Sequence, residues 1–123
     1  MSLPASDDEI LLLHNPRCSK SRATEALLEQ AGVTFRTRRY LEEPLSRAEL
    51  AELARRLDRP ATDFVRRGQA EFAQAGLDAG STEDEVLDAM AAHPVLMERP
   101  ILVRGDRAAI GRPPENVREL IED

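Results

Sequence analysis

The only cysteine of the chain, Cys18, lies in the stretch His14-Asn15-Pro16-Arg17-Cys18-Ser19-Lys20-Ser21-Arg22, where an apolar run ends and a helical pattern begins. A thiol at a helix start faces backbone N–H groups that have no partner inside the helix, together with the positive end of the helix dipole. Both favour the thiolate, which is the nucleophilic form. Ser19 and Ser21 add hydroxyls and Lys20 an ammonium, and successive N–H groups at a helix start make an anion-binding concavity. The chemistry this spacing supports is a thiolate with an oxyanion held beside it. Asn15 and Pro16 supply the turn that brings the chain into the helix. His14 ends the preceding run; it either bonds the loop and adds positive potential there, or is a buried structural histidine. His93 is better explained by cap and dipole interactions at a helix end. One cysteine and two widely separated histidines make no ligand set of known spacing, so no metal is expected.

These residues need a scaffold, and 123 residues with 41% hydrophobic content fit a single domain spanning 1–123. A formal charge of −6 argues against non-specific binding to nucleic acid or to an anionic membrane, since both need a basic face. The strongly apolar run Ile10–Leu13 is too short to span a bilayer or to act as an export signal, so the expected location is the cytoplasm. A single cysteine also suits a reducing compartment, and any redox cycle must then borrow a second thiol from outside. Of the 17 basic residues only Lys20 is a lysine, so the chain is rich in arginine throughout and an isolated arginine carries little weight.

The apolar run 10–14 reads as a buried strand. Ala23, Ala26, Leu27 and Ala31 then recur at helical spacing from about Ser19 to Gln30, and Gly32 closes that helix. Residues 33–41 carry the β-formers Val33, Thr34, Phe35, Thr37 and Tyr40 with arginines interleaved, which predicts a partly exposed strand. Strand, helix and strand in about 30 residues form a right-handed βαβ unit with parallel strands. Ser46 with Glu49, and Thr82 with Glu85, are capping boxes that open two helices, and short helical pieces lie between 61 and 74. Ile101-Leu102-Val103, Gly105-Asp106 and 108–110 read as an antiparallel hairpin, followed by a last helix after Pro113-Pro114. The order is that of an α/β thioredoxin-like fold: a mixed four-stranded sheet with a helical segment inserted at about 46–93. In that topology the residue before the third strand, Arg99, comes beside the start of the first helix. Taken alone, Arg66 and Arg112 read as solvated surface charges.

Three segments together carry a resemblance: His14-Asn15-Pro16-Arg17-Cys18 with Ser21-Arg22, Leu96-Met97-Glu98-Arg99-Pro100-Ile101, and Gly111-Arg112-Pro113-Pro114-Glu115. Over nearly its whole length the chain resembles the glutaredoxin-coupled arsenate reductase family. The resemblance implies that Cys18 attacks arsenate, that Arg66 (with Arg67 adjoining it), Arg99 and Arg112 bind the oxyanion, and that His14 helps the cysteine ionise. It further implies glutathione as co-substrate, glutaredoxin as partner, no bound cofactor, phosphate as a near-isosteric inhibitor, and a cis Arg99–Pro100 bond. Family arsenate reductases follow the cysteine with Gly-x-Ser. This chain has Ser19-Lys20-Ser21, typical of a related branch. Two other functions share the framework: a Spx-like regulator that binds RNA polymerase, in whose Cys-x-x-Cys pattern Ser21 would replace the second cysteine, and a monothiol oxidoreductase acting on glutathione mixed disulfides.

Overall fold

A computed structural model describes residues 2–122, which form two compact units: residues 2–43 with 99–122, and residues 44–98. The first unit contains the sheet. Its strands are β1 (Ile10–His14), β2 (Arg36–Arg39), β3 (Ile101–Arg104) and β4 (Arg107–Ile110), in the order β2-β1-β3-β4. β1 runs parallel to β2 and antiparallel to β3, and β3 pairs antiparallel with β4. This is the expected mixed four-stranded sheet, and the parallel pair is joined through α1 (Ser19–Gln30). All five residues of β1 are buried, which explains a continuous apolar run where a half-exposed strand would alternate. Leu12, Leu102 and Ala109 lie in register on one face of the sheet and pack with Leu28 of α1 and with Val117 and Leu120 near the chain end. The chain end forms a 3-10 turn at Pro114–Val117 and a short helix at Arg118–Ile121.

α1 ends in a full Schellman motif. Gly32 takes φ +72°, its N–H donates to Glu29 O, and Val33 N–H donates to Leu28 O. The buried face of α1 differs from the expected one. Ser21, Thr24 and Leu28 are buried, whereas Ala23, Ala26 and Ala31 are exposed and Leu27 is only partly covered. Ser21 and Thr24 can face inward because their hydroxyls have partners: Ser21 Oγ accepts from Asn15 N–H, and Thr24 Oγ1 donates to Lys20 O. The second strand is shorter than expected, at four residues, and Arg38 on it is buried at 4% exposure, with its Nε donating to Glu43 O.

The second unit is helical: α2 (Arg47–Leu57), α3 (Ala61–Phe64), α4 (Ala70–Gln74) and α5 (Glu83–Ala92), with a 3-10 turn at Pro94–Leu96. Both capping boxes form as the sequence predicts, Ser46 with Glu49 and Thr82 with Glu85. Leu50 and Leu53 of α2 and Val86, Leu87 and Met90 of α5 are buried between the packed helices. Glu83 at the start of α5 accepts the N–H groups of Ala61 and Thr62, and so caps α3 from a neighbouring helix. No helix among the described residues is long and apolar enough to cross a membrane.

His14 ends β1 at 3% exposure. Its Nδ1 has no hydrogen-bond partner and its Nε2 lies 3.8 Å from Glu25 Oε2. Burial lowers the imidazole below its ordinary value; Glu25 opposes this, while Arg39 and Arg22 reinforce it. The unfolded chain, with an ordinary value of about 6.5, therefore takes up this proton first as the pH falls. The stability that the neutral imidazole contributes is full above about pH 6.5 and is lost as the pH drops toward the lowered folded value. Urea denaturation at pH 7.5 and pH 5.5 should accordingly show a smaller acid loss in His14→Gln than in the parent chain.

Candidate active site

The loop between β1 and α1 is held by its own polar groups. Asn15 Oδ1 accepts the N–H of Arg17 at 3.0 Å, an Asx turn, and Cys18 N–H donates to Asn15 O at 2.9 Å. Arg22 Nη1 reaches back to Pro16 O at 3.0 Å, and Asn15 N–H donates to the buried Ser21 hydroxyl at 3.3 Å. Cys18 is thereby fixed as the N-cap of α1, with extended dihedrals, and its carbonyl accepts the first helical bond from Arg22. The sulfur closes no side-chain cap hydrogen bond; the N–H groups of Lys20 and Ser21 act on it as nearby dipoles. Ser19 and Lys20 are exposed, so of the two serines only Ser21 serves the interior of the loop.

Sheet topology brings the arginines to this loop. Because β3 is antiparallel to both neighbours, the end of β1, the start of β3 and the end of β4 lie together, in the row Leu13, Ile101 and Ile110. Arg99 stands two residues before Ile101 and Arg112 two residues after Ile110. Arg112 Nη1 lies 4.0 Å from Cys18 Sγ and 3.3 Å from Arg99 O, and Asn116 Nδ2 donates to Arg112 O at 3.1 Å. Both Arg99–Pro100 and Arg112–Pro113 are cis; the first was implied by the resemblance and the second was not anticipated.

Electrostatics at the sulfur set two effects against each other. Burial alone raises the thiol, but the N–H groups of Ser21 and Lys20 and the charges of Arg99 and Arg112 together outweigh it and hold Cys18 below its ordinary value. A partly exposed cysteine whose ionisation is favoured by two guanidinium charges and a helix start can, as the thiolate, act as a nucleophile toward an anion docked on the same groups.

His14, which the resemblance implies helps the cysteine ionise, stands four residues before Cys18 at the end of β1. It fronts a groove of about 680 Å³ that Glu25, Thr37, Arg39 and Glu42 also line. Arg66 belongs to the helical unit, where its backbone N–H donates to Leu96 O at 2.7 Å and its Nη1 to Val95 O at 3.3 Å. Arg67 beside it donates to Thr62 O and rests over the Phe72 ring at 5.5 Å. Among the described residues no group of three or more His, Cys, Asp or Glu is placed to hold a metal ion. One support went unread in the sequence, Thr24, whose hydroxyl holds the first turn of α1 through Lys20 O.

The ArsC family profile matches residues 13–120. An arsenate reductase from Neisseria meningitidis is 38% identical over 115 residues, covering 92% of this chain and 98% of that protein. An uncharacterized Escherichia coli protein, YfgD, is 40% identical over 115 residues, covering 92% of this chain and 97% of its own length. The solved structure of an arsenate reductase from Vibrio cholerae matches with a TM-score of 0.86 at 39% identity, over 95% of this chain and 99% of that one. Since the profile takes in the Cys18 loop, the strand entry at Arg99 and the turn at Arg112, the chain belongs to the ArsC family and has its thioredoxin-like fold.

Proposed function

We propose that the protein is an arsenate reductase in which Cys18 is the nucleophile and Arg99 and Arg112 bind the oxyanion. The observation that carries this reading is the 4.0 Å approach of Arg112 Nη1 to Cys18 Sγ, at a helix start that already favours the thiolate. The arsenate reductase from Neisseria meningitidis supports it by similarity over nearly the full chain.

In the proposed reaction the Cys18 sulfur forms a bond to arsenic(V), and one arsenic–oxygen bond breaks, its oxygen leaving as water after protonation. The arginines and the helix-start N–H groups offset the charge that gathers on the remaining oxygens. Arsenic(V) must gain two electrons to become arsenic(III), and the chain has no second thiol to share the oxidation. Glutathione supplies the second sulfur, adding to arsenic with loss of another water. A glutaredoxin thiolate then attacks the glutathione sulfur. The arsenic–sulfur bond to glutathione breaks, its electron pair stays on arsenic, and the oxidation leaves as a glutathione–glutaredoxin disulfide. Hydrolysis of the remaining Cys18–arsenic bond frees arsenite and restores the thiol. Glutathione and glutaredoxin place this cycle in the cytoplasm, and no bound cofactor takes part.

Purified protein supplied with glutathione and glutaredoxin should consume reductant in proportion to added arsenate, and Cys18→Ser should fall to background. Absence of arsenate-dependent turnover in the parent chain would reject the reading.

Arsenate or phosphate affinity measured by calorimetry should weaken about tenfold or more in Arg99→Ala and in Arg112→Ala, the loss expected for a charge-assisted hydrogen bond. Arg55→Ala and Arg107→Ala, at exposed positions, should remain near the parent value. The resemblance adds Arg66 as a third arginine, and the same measurement on Arg66→Ala and Arg67→Ala decides between the two neighbours.

Iodoacetamide alkylation of Cys18 across pH should show a midpoint below the ordinary thiol value of about 8.5, and Arg112→Ala should move it upward. A parent midpoint at or above the ordinary value would count against the thiolate.

A further inference from the structure

We infer that Gly111 is a positioning residue whose missing side chain sets how closely Arg99 and Arg112 approach Cys18. The inference rests on the proposed function in taking Cys18 as the reacting group and Arg99 and Arg112 as the groups that hold the oxyanion.

Gly111 sits at a three-way junction. Its N–H donates to Pro100 O at 2.9 Å, tying the exit of β4 to the entry of β3. A Cβ built on Gly111 would lie 2.8 Å from Thr24 Oγ1, 2.9 Å from Pro100 Cγ and 3.4 Å from Val117 Cγ1. Side-chain Cβ atoms essentially never come within 3.0 Å of a neighbour, so two of these contacts fall inside what packing tolerates. The backbone of Gly111 does not lie in the left-handed region, and so the reason for glycine here is space and not conformation. Gly68, by contrast, would meet nothing within 4 Å.

None of the crowding atoms is the loose end of a flexible side chain. Thr24 is fully buried and its hydroxyl donates to Lys20 O at 2.9 Å. Pro100 is buried with its ring against Gly111, and Val117 is fully buried in the sheet core. Relief must therefore come from the backbone elements themselves. Moving the 99–100 segment carries Arg99 with it, and moving residue 111 carries Arg112, whose Nη1 spans Arg99 O and Cys18 Sγ. Moving Thr24 pulls on the first turn of α1, whose Lys20 and Ser21 N–H groups stabilise the thiolate. The two closest contacts, Thr24 and Pro100, thus each lead into a segment that holds one of the groups favouring the anion at Cys18.

The test is the pH midpoint of Cys18 alkylation in Gly111→Ala, with phosphate affinity read alongside it. The midpoint should rise toward the ordinary thiol value and phosphate should bind about tenfold more weakly, in line with the sensitivity of such sites to displacements near 1 Å. Leu120→Ala, which removes a buried core side chain with no place in the junction, should lower the thermal midpoint and leave both readings unchanged. If Gly111→Ala does not fold, Thr24→Ala and the double variant Gly111→Ala/Thr24→Ala are compared. The Pro100 contact persists in the double variant, so its alkylation midpoint should stay above that of Thr24→Ala. A folded Gly111→Ala with the parent midpoint and affinity, or a double variant equal to Thr24→Ala, would overturn the inference. Alkylation needs no arsenate, so an absence of arsenate turnover leaves this test intact.

Discussion

Burial of a sulfur and ionisation of a sulfur pull in opposite directions, and the candidate site of this protein depends on how that opposition is resolved at Cys18. Taking the sulfur partly out of water penalises the thiolate, and among the influences on its proton affinity this is the largest single one. It is outweighed only in sum, by two backbone N–H groups and two guanidinium charges, each of them smaller. The N–H groups are local, because a helix start provides them wherever the chain enters α1. The guanidinium charges are not local. They come from residues 81 and 94 positions further along the chain, and only the antiparallel placement of β3 between β1 and β4 brings them to the same end of the sheet.

What could be read from the sequence divides along that line between local and non-local. The buried β1, both capping boxes, the glycine closure of α1 and the β3–β4 hairpin are each decided by a few neighbouring residues, and each is found where the pattern puts it. The face of α1 could not be read from periodicity. Alanine pays little for exposure and serine or threonine can be buried once bonded, so Ser21 and Thr24 displaced the alanines that hydrophobic spacing favoured. Arg38 was unreadable for the same reason, since its burial depends on Glu43 across a turn. In the candidate site, Cys18 was legible from its loop and Arg99 from topology, whereas the choice of Arg112 among 16 arginines required the resemblance. Gly111 is visible in the sequence only as part of a motif, and its crowding by Thr24 and Pro100 is a tertiary fact that spacing does not encode.

The identity of the cation at the site matters as well as its charge. A guanidinium has several N–H donors in one plane, so Arg112 can meet the carbonyl of Arg99 and the sulfur of Cys18 from one rigid group. A lysine ammonium would concentrate its charge at one point and could not bridge the two partners in a fixed geometry. The single lysine, Lys20, is exposed on the first turn of α1, where its backbone N–H acts on the sulfur.

On the proposed reading, a chain with a net charge of −6 concentrates positive charge around one thiol and draws an oxyanion there against the field of the molecule as a whole. On the proposed reading this attraction cannot tell arsenate from phosphate. The two present the same charge and nearly the same shape to Arg99 and Arg112, and a pocket built on charge discriminates poorly between isosteres. Selection must then occur after binding, in the bond between sulfur and the central atom. Arsenic(V) accepts two electrons from thiols and phosphorus(V) does not, so phosphate occupies the site and leaves unchanged while arsenate is carried forward. The thiolate at Cys18, and not the arginines that gather its substrate, is then where specificity resides.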